Sequence, residues 1–232
     1  MWLLEWEVLV DTYSFMFTTL LNGGRLSQEK SIIQEKYINK PNSHSVYLAP
    51  FVNEVLNNAT MSINELDGVV ISDGPGSYTG LRIGSSLAKG ICLGAGIPLM
   101  AVSTLKGLAK KALNDYPSVN QAIALVDARR SDAYIGVYNQ QLKPIIKEQF
   151  ITINSELKIE KSNAVVVGSG AMKFINELDV KKELKHSESV LYAKDLLDEA
   201  MLKWAKQDFV DLTSYEPNYI KSVFVTKPKS KF

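Results

Sequence analysis

One short segment, residues 73–83 (DGPGSYTGLRI), constrains the fold of this chain more than any other. It follows an apolar run at residues 69–72 and leads into residues 79–95, where apolar residues recur with helical spacing. A strand, a glycine-rich turn and a helix start in this order predict an α/β unit with backbone N–H groups at the turn. Such a turn can hold an anion or accept the close approach of another backbone segment.

The same segment departs from both common nucleotide-binding motifs. A P-loop continues from its last glycine into Lys and Ser or Thr, whereas Gly80 is followed by Leu81 and Arg82. In the dinucleotide fingerprint the third glycine stands one residue earlier than Gly80 does, and an acidic residue follows about twenty positions later. Residues 98–102 (PLMAV) occupy that place here. The sequence therefore predicts neither kind of nucleotide site for this loop.

Length and charge limit the class of protein. The 232 residues suffice for one large domain or two small lobes, and a formal net charge of +1 gives no broad attraction to nucleic acid or membranes. The single cysteine, Cys92, has apolar neighbours and suggests a buried thiol in a reducing compartment. Because no secretory signal and no run of about 18 apolar residues are visible, we expect a soluble, cytoplasmic protein.

Hydrophobic periodicity predicts a repeated α/β pattern. Strands are expected at residues 8–10 and 18–21, with residues 26–38 extending them into a three-stranded meander, and an amphipathic helix is expected at 46–58. Further strands are predicted at 69–72, 98–102, 122–126, 133–138, 149–153 and 164–167, and further helices at 79–95, 104–113, 171–178 and 193–204. The pattern favours two related lobes, 1–104 and 105–232, with the C-terminal tail packing back on the first.

Several segments, in the right order along most of the chain, resemble the TsaB (YeaZ) family of bacteria. They are residues 10–12 (VDT), 43–45 (SHS), 73–83, 98–105 (PLMAVSTL), 127–130 (DARR) and 216–221 (EPNYIK). The resemblance implies an α/β, actin-like (sugar-kinase-like) fold of two RNase H-like lobes. This chain departs from the family where Tyr13 and Ser14 replace the usual Ser-Thr after the first strand, and residues 1–7 look altered.

The resemblance also implies a function. TsaB proteins pair with a larger paralogue, TsaD, and with the ATPase TsaE they complete threonylcarbamoylation of the adenosine beside the anticodon in certain tRNAs. TsaD-type proteins carry an N-H-x-x-G-H stretch whose two histidines bind a metal, and Thr104 and Leu108 stand at those positions here. The resemblance therefore implies a non-catalytic scaffold with no metal site of its own, while ATP and magnesium belong to the complex.

A partner surface is predicted on the two helices at 46–58 and 79–95. Small residues recur every four positions along the second helix, and such a ridge lets another helix approach closely. It can pack against the first helix of the same chain or against a partner, and both alternatives stay open. In TsaB relatives these helices form the surface for self-association and for TsaD, so we expect a homodimer and an interface of Leu48, Phe51, Val52, Val55, Gly80, Leu81, Gly84 and Ala88.

Two further groups of residues are candidates for binding. The glycine loop could contact a nucleotide or a neighbouring backbone through Asp73, Gly74, Gly76, Ser77, Thr79 and Arg82. Candidates for RNA contact are Arg129, Arg130 and Lys221, against the alternative of a solvated hairpin tip and a disordered tail.

Two alternative functions stay open. The chain could be a free-standing enzyme, either an actin-like ATP-dependent phosphotransferase or a glycoprotease-type peptidase. The first needs phosphate loops in both lobes, and residues 168–170 (GSG) are the candidate in the second lobe. The peptidase needs a metal or an activated nucleophile, and the sequence suggests neither. The chain could also be a module that binds a small molecule or a peptide in the interlobe cleft.

Overall fold

The computed structural model describes residues 2–4, 17–22, 31–34, 44–154, 159–180, 184–188 and 190–220. The strands in these ranges are β1 (Trp2–Leu4), β2 (Phe17–Asn22), β3 (Ser31–Gln34), β4 (Gly68–Gly74), β5 (Leu99–Ser103), β6 (Gln121–Asp127), β7 (Asp132–Asn139), β8 (Pro144–Thr152), β9 (Ala164–Val167) and β10 (Lys185–Ser187). The α-helices are α1 (His44–Asn58), α2 (Tyr78–Ala95), α3 (Thr104–Asp115), α4 (Ala171–Leu178) and α5 (Leu197–Ala205), with 3₁₀ turns at Ile63–Glu65 and Ala193–Leu196.

The first sheet has the strand order β3-β1-β2-β4-β5. β2 runs antiparallel to β1 and β4, whereas β3 pairs with β1 in parallel, and β5 pairs with β4 in parallel. The predicted meander is therefore wrong, because a meander would place the second strand between the first and the third. A period-two pattern shows which residues face the core but not which strands are neighbours. The strand expected at residues 8–10 lies outside the described residues.

The second sheet has the order β10-β9-β6-β7-β8. β6, β7 and β8 form an antiparallel meander, and β9 and β10 extend it in parallel beside β6. The meander predicted from residues 122–153 is confirmed. Its tight β6–β7 connection turns at Arg129 and Arg130, which both have positive φ.

Helices cover or separate the two sheets in layers. Alternate residues of β4 and β5 face opposite ways, so Val69 and Leu99 join the cluster beneath α1 and α2, while Val70 and Met100 join the cluster around α3 and α5. The cluster around α3 also takes residues from β6 and β9, so α3 lies between the sheets. α4 packs on the other face of the second sheet. This alternation of helices and strands confirms the predicted α/β class.

The last segment that the structure describes, residues 209–220, returns to the first sheet. The N–H of Val210 donates to the carbonyl of Leu99 at 3.0 Å, and the side chains of Leu212 and Tyr215 pack against the cluster beneath α1 and α2. We call residues 209–220 the C-terminal strap. The division of the chain into lobes at residue 104 stays a prediction. Among the helices of the described ranges, we find none with the length and hydrophobicity to span a bilayer.

Candidate functional site

The glycine loop between β4 and α2 is shaped by the C-terminal strap. Gly74 has φ +102°, and a Cβ at this position would lie 2.9 Å from the carbonyl oxygen of Asn218 and 3.0 Å from Leu81. The N–H of Asn218 donates to the carbonyl of Asp73 at 2.9 Å. Glycine is needed at residue 74 because the backbone of the strap approaches closely and because L side chains disfavour this φ.

The side chain of Asp73 also forms a hydrogen bond with the C-terminal strap. The Tyr215 hydroxyl donates to Asp73 Oδ1 at 2.8 Å, and Lys89 Nζ donates to the Tyr215 carbonyl at 3.1 Å. Burial raises the pKa of the Asp73 carboxyl, and the hydrogen bonds from Tyr215 and Asn218 oppose that rise. Burial and the neighbouring carboxylate also raise the pKa of Tyr215, so its hydroxyl remains a donor at neutral pH. The sequence did not suggest Tyr215, because it lies 142 positions from Asp73.

The start of α2 faces the second sheet across a cleft. Ser77 caps the helix, and its Oγ accepts from the N–H of Gly80 at 3.2 Å. Gly76, Ser77 and Thr79 line a cleft of about 350 Å³ together with Asp127 and Arg129 of the β6–β7 connection. The structure thus brings three of the six predicted loop residues and one predicted RNA-contact residue to the same cleft, whereas Arg82 lines a neighbouring cleft and Asp73 and Gly74 line neither.

Aromatic side chains from the meander complete this cleft. Tyr134 on β7 and Phe150 on β8 line it, and their ring centroids lie 5.7 Å apart. They are cross-strand partners in the β7–β8 register. The sequence reasoning missed both residues, since the alternation within each strand is visible in a sequence but the register between strands is not.

The β6–β7 connection leaves its arginines exposed. Arg129 and Arg130 are both exposed, and only Arg129 lines the cleft. Asp127 accepts from the N–H of Arg129 at 2.6 Å and forms an ion pair with Lys173. Its carboxylate is therefore neutralised by a lysine and does not occupy the Arg129 guanidinium. Lys221, the third predicted RNA-contact residue, lies outside the described residues.

The loop at residues 168–170 packs against β6. A Cβ at Gly168 would overlap the carbonyl of Leu125, and Gly168 has φ +100°. The hydroxyl of Ser169 accepts from the N–H of Asp127 at 3.0 Å. The glycine at residue 168 is therefore explained by its packing against β6 and does not require a bound phosphate.

The eight residues predicted to form the partner interface are all buried within the chain. They are Leu48, Phe51, Val52 and Val55 on α1 and Gly80, Leu81, Gly84 and Ala88 on α2. α1 contacts α2, and five of these residues, the four on α1 and Ala88, belong to the cluster between the helices and the first sheet. Their burial leaves little of their surface for a partner, and their part in a partner interface stays a prediction. A strong apolar stripe on a helix first marks the face that packs on its own sheet.

A different set of residues lies on the outward surface of the helix pair. Val46 is 61% exposed on α1 and Leu93 is 60% exposed on α2. Gly90 and Gly94 on α2 are exposed, and a Cβ at either position would meet nothing within 4 Å. With Ser86 they form an outward row of small residues every four positions. We call the outward row and the exposed apolar residues beside it the outer helix face.

Two residues at the start of α3 are buried between the sheets. The hydroxyls of Thr104 and Ser72 share a hydrogen bond of 2.6 Å, and Leu108 is 5% exposed within the core. In the part of the chain that the structure describes, no three His, Cys, Asp or Glu side chains cluster in a way that could hold a metal ion. The segment at 104–108 thus contributes to packing between the two sheets.

Comparison with curated proteins identifies relatives. A family model described as "TsaD: tRNA N6-adenosine threonylcarbamoyltransferase" matches residues 32–193, which is more than half of the chain. The "tRNA threonylcarbamoyladenosine biosynthesis protein TsaB" of Buchnera aphidicola subsp. Schizaphis graminum is 31% identical over 73% of this chain and 83% of its own length. The proteins of the same name from Haemophilus influenzae and Escherichia coli are 26% and 27% identical, each over 78% of this chain and 80% and 82% of their own lengths.

Solved structures agree in fold. The structure titled "YeaZ from Pseudomonas aeruginosa" matches 92% of this chain and 97% of its own with a TM-score of 0.72 and 23% identity. A second, titled as an uncharacterized protein with similarity to peptidase YEAZ from the same organism, matches 95% and 100% with a TM-score of 0.73 and 23% identity. The fold is therefore actin-like, with two RNase H-like lobes, and the chain belongs to the TsaB (YeaZ) family.

Proposed function

We propose that this chain is a non-catalytic subunit in the biosynthesis of threonylcarbamoyladenosine in tRNA. It pairs with a TsaD protein and acts together with the ATPase TsaE. The family and the names of its curated relatives support the pathway. The accessory role rests on the start of α3, where TsaD-type sequences carry their metal-binding histidines.

The residues at those two positions support packing and not catalysis. Thr104 is 4% exposed, and its hydroxyl is engaged with Ser72 at 2.6 Å. Leu108 offers no ligand atom and is enclosed by the core between the sheets. A metal centre needs several ligands of suitable type within a few ångströms. Neither Thr104 nor Leu108 supplies an available ligand atom, and this observation carries the proposal.

The proposed contribution of the chain is therefore to dock. The outer helix face is exposed, and its row of Ser86, Gly90 and Gly94 lets a second helix pair approach closely. Val46 and Leu93 add exposed apolar side chains of the kind that complete such a contact. The same face is expected to pair two copies of the isolated chain, so TsaD would compete with self-association.

Size-exclusion chromatography with light scattering tests the docking. The chain is mixed with TsaD from its own organism, and a one-to-one complex is expected. Gly90→Leu should weaken pairing at least tenfold, because a leucine lifts the helices apart where the backbone would approach. Asn176→Leu is the control, since it places the same side chain at an exposed position of α4. Equal effects of the two substitutions would contradict the assignment of the interface.

Reconstitution of the modification tests the function itself. TsaD, TsaE, tRNA and the threonylcarbamoyl donor are incubated with and without this chain, and nucleoside analysis follows the modified adenosine. We expect modification only when both TsaD and this chain are present. Full modification without this chain would refute the accessory role, and modification by this chain without TsaD would show that it is an enzyme.

A further inference from the structure

Two clefts share Tyr78 as a lining residue. The first cleft, of about 350 Å³, lies between the start of α2 and the β6–β7 connection. The second, of about 300 Å³, lies between α2 and the C-terminal strap. Tyr78 lines both and is 40% exposed. We call the combined surface the Tyr78 groove.

Three cations line this groove without an acidic partner. Arg129 lies in the first cleft, and Arg82 and Lys89 lie in the second. Within the described part of the chain, no ion pair involves any of the three. Two carboxylates also line the groove, but Asp127 is paired with Lys173, which leaves Glu216 as the uncompensated one. The groove is therefore positive, although the whole chain is nearly neutral.

Aromatic rings line the groove together with these cations. Tyr134 and Phe150 line the first cleft, with centroids 5.7 Å apart. Tyr78 and Tyr219 line the second, with centroids 5.0 Å apart at an interplanar angle of 50°. The Arg82 guanidinium lies 5.2 Å from the Tyr78 centroid and donates to its hydroxyl at 3.1 Å, which holds the ring at the junction. Each cleft thus combines a cation with a pair of rings.

We infer that the Tyr78 groove binds a segment of single-stranded RNA. Cations spaced along a groove contact successive phosphates, and aromatic rings between them stack on unpaired bases. A simple anion site would have no use for the two ring pairs, and a duplex could not reach them with its bases. The choice of RNA among nucleic acids rests on the proposed function in tRNA modification.

Fluorescence anisotropy on the full-length chain tests this inference. The probes are a labelled single-stranded RNA of about ten nucleotides, a usual size for such grooves, and a duplex RNA of the same length. We expect the single strand to bind more tightly than the duplex, with an affinity that falls as salt is raised. Absence of binding by the single strand, or equal binding of the two probes, would overturn the inference.

Charge substitutions locate the binding. Each phosphate contact to a single strand contributes a salt slope of about −0.7, so Arg82→Gln with Arg129→Gln should reduce the slope by about 1.4 and the affinity at 0.1 M salt about twenty-fivefold. Both side chains are exposed, so the fold should survive. The control pair, Lys161→Gln with Lys185→Gln, removes the same charge at the opposite end of the second sheet, where Lys185 begins β10 and Lys161 follows the residue whose carbonyl accepts from Gln121 at the start of β6. Equal losses of RNA affinity in the two double variants would show that the RNA does not bind in the groove and would overturn the inference.

Removal of the shared ring tests the stacking. Tyr78→Ala should lower single-strand affinity about tenfold and leave the salt slope unchanged, because it removes a stacking platform but no phosphate contact. An unchanged affinity would overturn the role of the rings. Circular dichroism and thermal unfolding of each variant verify that the fold is intact.

TsaD pairing, measured in parallel, separates this inference from the proposed function. Groove variants are expected to pair normally with TsaD, since the outer helix face is intact in them. If they lose TsaD and keep RNA, the groove is a protein contact and the inference is wrong. If the wild-type chain binds RNA through the groove but supports no modification with TsaD, the proposed function fails while the RNA site stands.

Discussion

The hydrogen bond between Tyr215 and Asp73 should stabilise the fold in a pH-dependent manner. It joins the C-terminal strap to the glycine loop at 2.8 Å, and the acceptor is a partly buried carboxylate. Hydrogen bonds to charged groups typically contribute about 1.5–3 kcal/mol. Tyr215→Phe keeps the ring in the cluster beneath α1 and α2 and removes only the donor. We expect it to lower the free energy of unfolding by this amount at about pH 7.5, which corresponds to a Tm lower by roughly 3–12 °C.

The sign of the pH effect follows from the carboxyl. Burial raises the pKa of Asp73 above its value in the unfolded chain, so the folded state holds the proton more tightly and loses stability as the pH rises through the folded pKa. The Tyr215 hydroxyl opposes that loss because it stabilises the ionised form. The cost of Tyr215→Phe should therefore be full at neutral pH and shrink towards about pH 4, the ordinary range of an aspartate. Urea unfolding at both pH values measures it.

Two companion variants make this reasoning refutable. Tyr47→Phe removes a hydroxyl from another tyrosine packed against the same cluster, and it should change stability by less than about 0.5 kcal/mol. Asp73→Asn removes the titrating group, so the cost of Tyr215→Phe in that background should no longer depend on pH. If Tyr215→Phe costs no more than Tyr47→Phe, or if its cost is the same at both pH values, the proposed role of the pair is wrong.

Two further predictions concern the glycine loop and the thiol of α2. Gly74→Ala should destabilise by about 2–4 kcal/mol in urea unfolding, because its Cβ would lie 2.9 Å from a backbone oxygen at φ +102°, whereas Gly90→Ala should stabilise by up to about 1 kcal/mol. If both substitutions change the free energy of unfolding in the same direction, the explanation of these two glycines is wrong. Burial raises the pKa of Cys92 to about 12. Native protein at pH 8 should therefore react with a thiol reagent far more slowly than urea-unfolded protein does. Equal reaction rates would contradict the burial of Cys92.

The elements of the fold were largely predictable, whereas their contacts were not. Helical spacing located α2, and period-two runs located the β6–β7–β8 meander, because local hydrophobic patterns record which face of an element is buried. At the helix pair the same signal does not tell which residues are open to a partner. The stripe containing Val52 and Ala88 marks the inner face, and Gly90 on the outer face carries no apolar signal. Burial decides between these faces, and burial depends on the tertiary structure.

Contacts between segments that lie far apart in the sequence could not be predicted either. The sequence indicated that another backbone segment could approach the chain at Gly74. It did not indicate that this segment contains Asn218, because no local pattern records such a contact. The aromatic lining from Tyr134 and Phe150 depends on the β7–β8 register. Arg129 was predictable as an exposed turn residue, yet its position opposite the start of α2 depends on how the two sheets are placed around α3.

The two proposed surfaces adjoin on one helix. Arg82 and Lys89, seven positions apart, share the side of α2 that faces the strap, and Ser86 of the outer helix face lines the second cleft beside them. The first cleft contains no residue of the outer helix face, so a partner on that face would border the second cleft and leave the first one open. The glycine loop sets where α2 begins, and the strap both clamps that loop and forms a wall of the groove. If both proposals hold, the strap couples them, because it fixes the start of the helix that carries the outer helix face and also lines the groove for RNA.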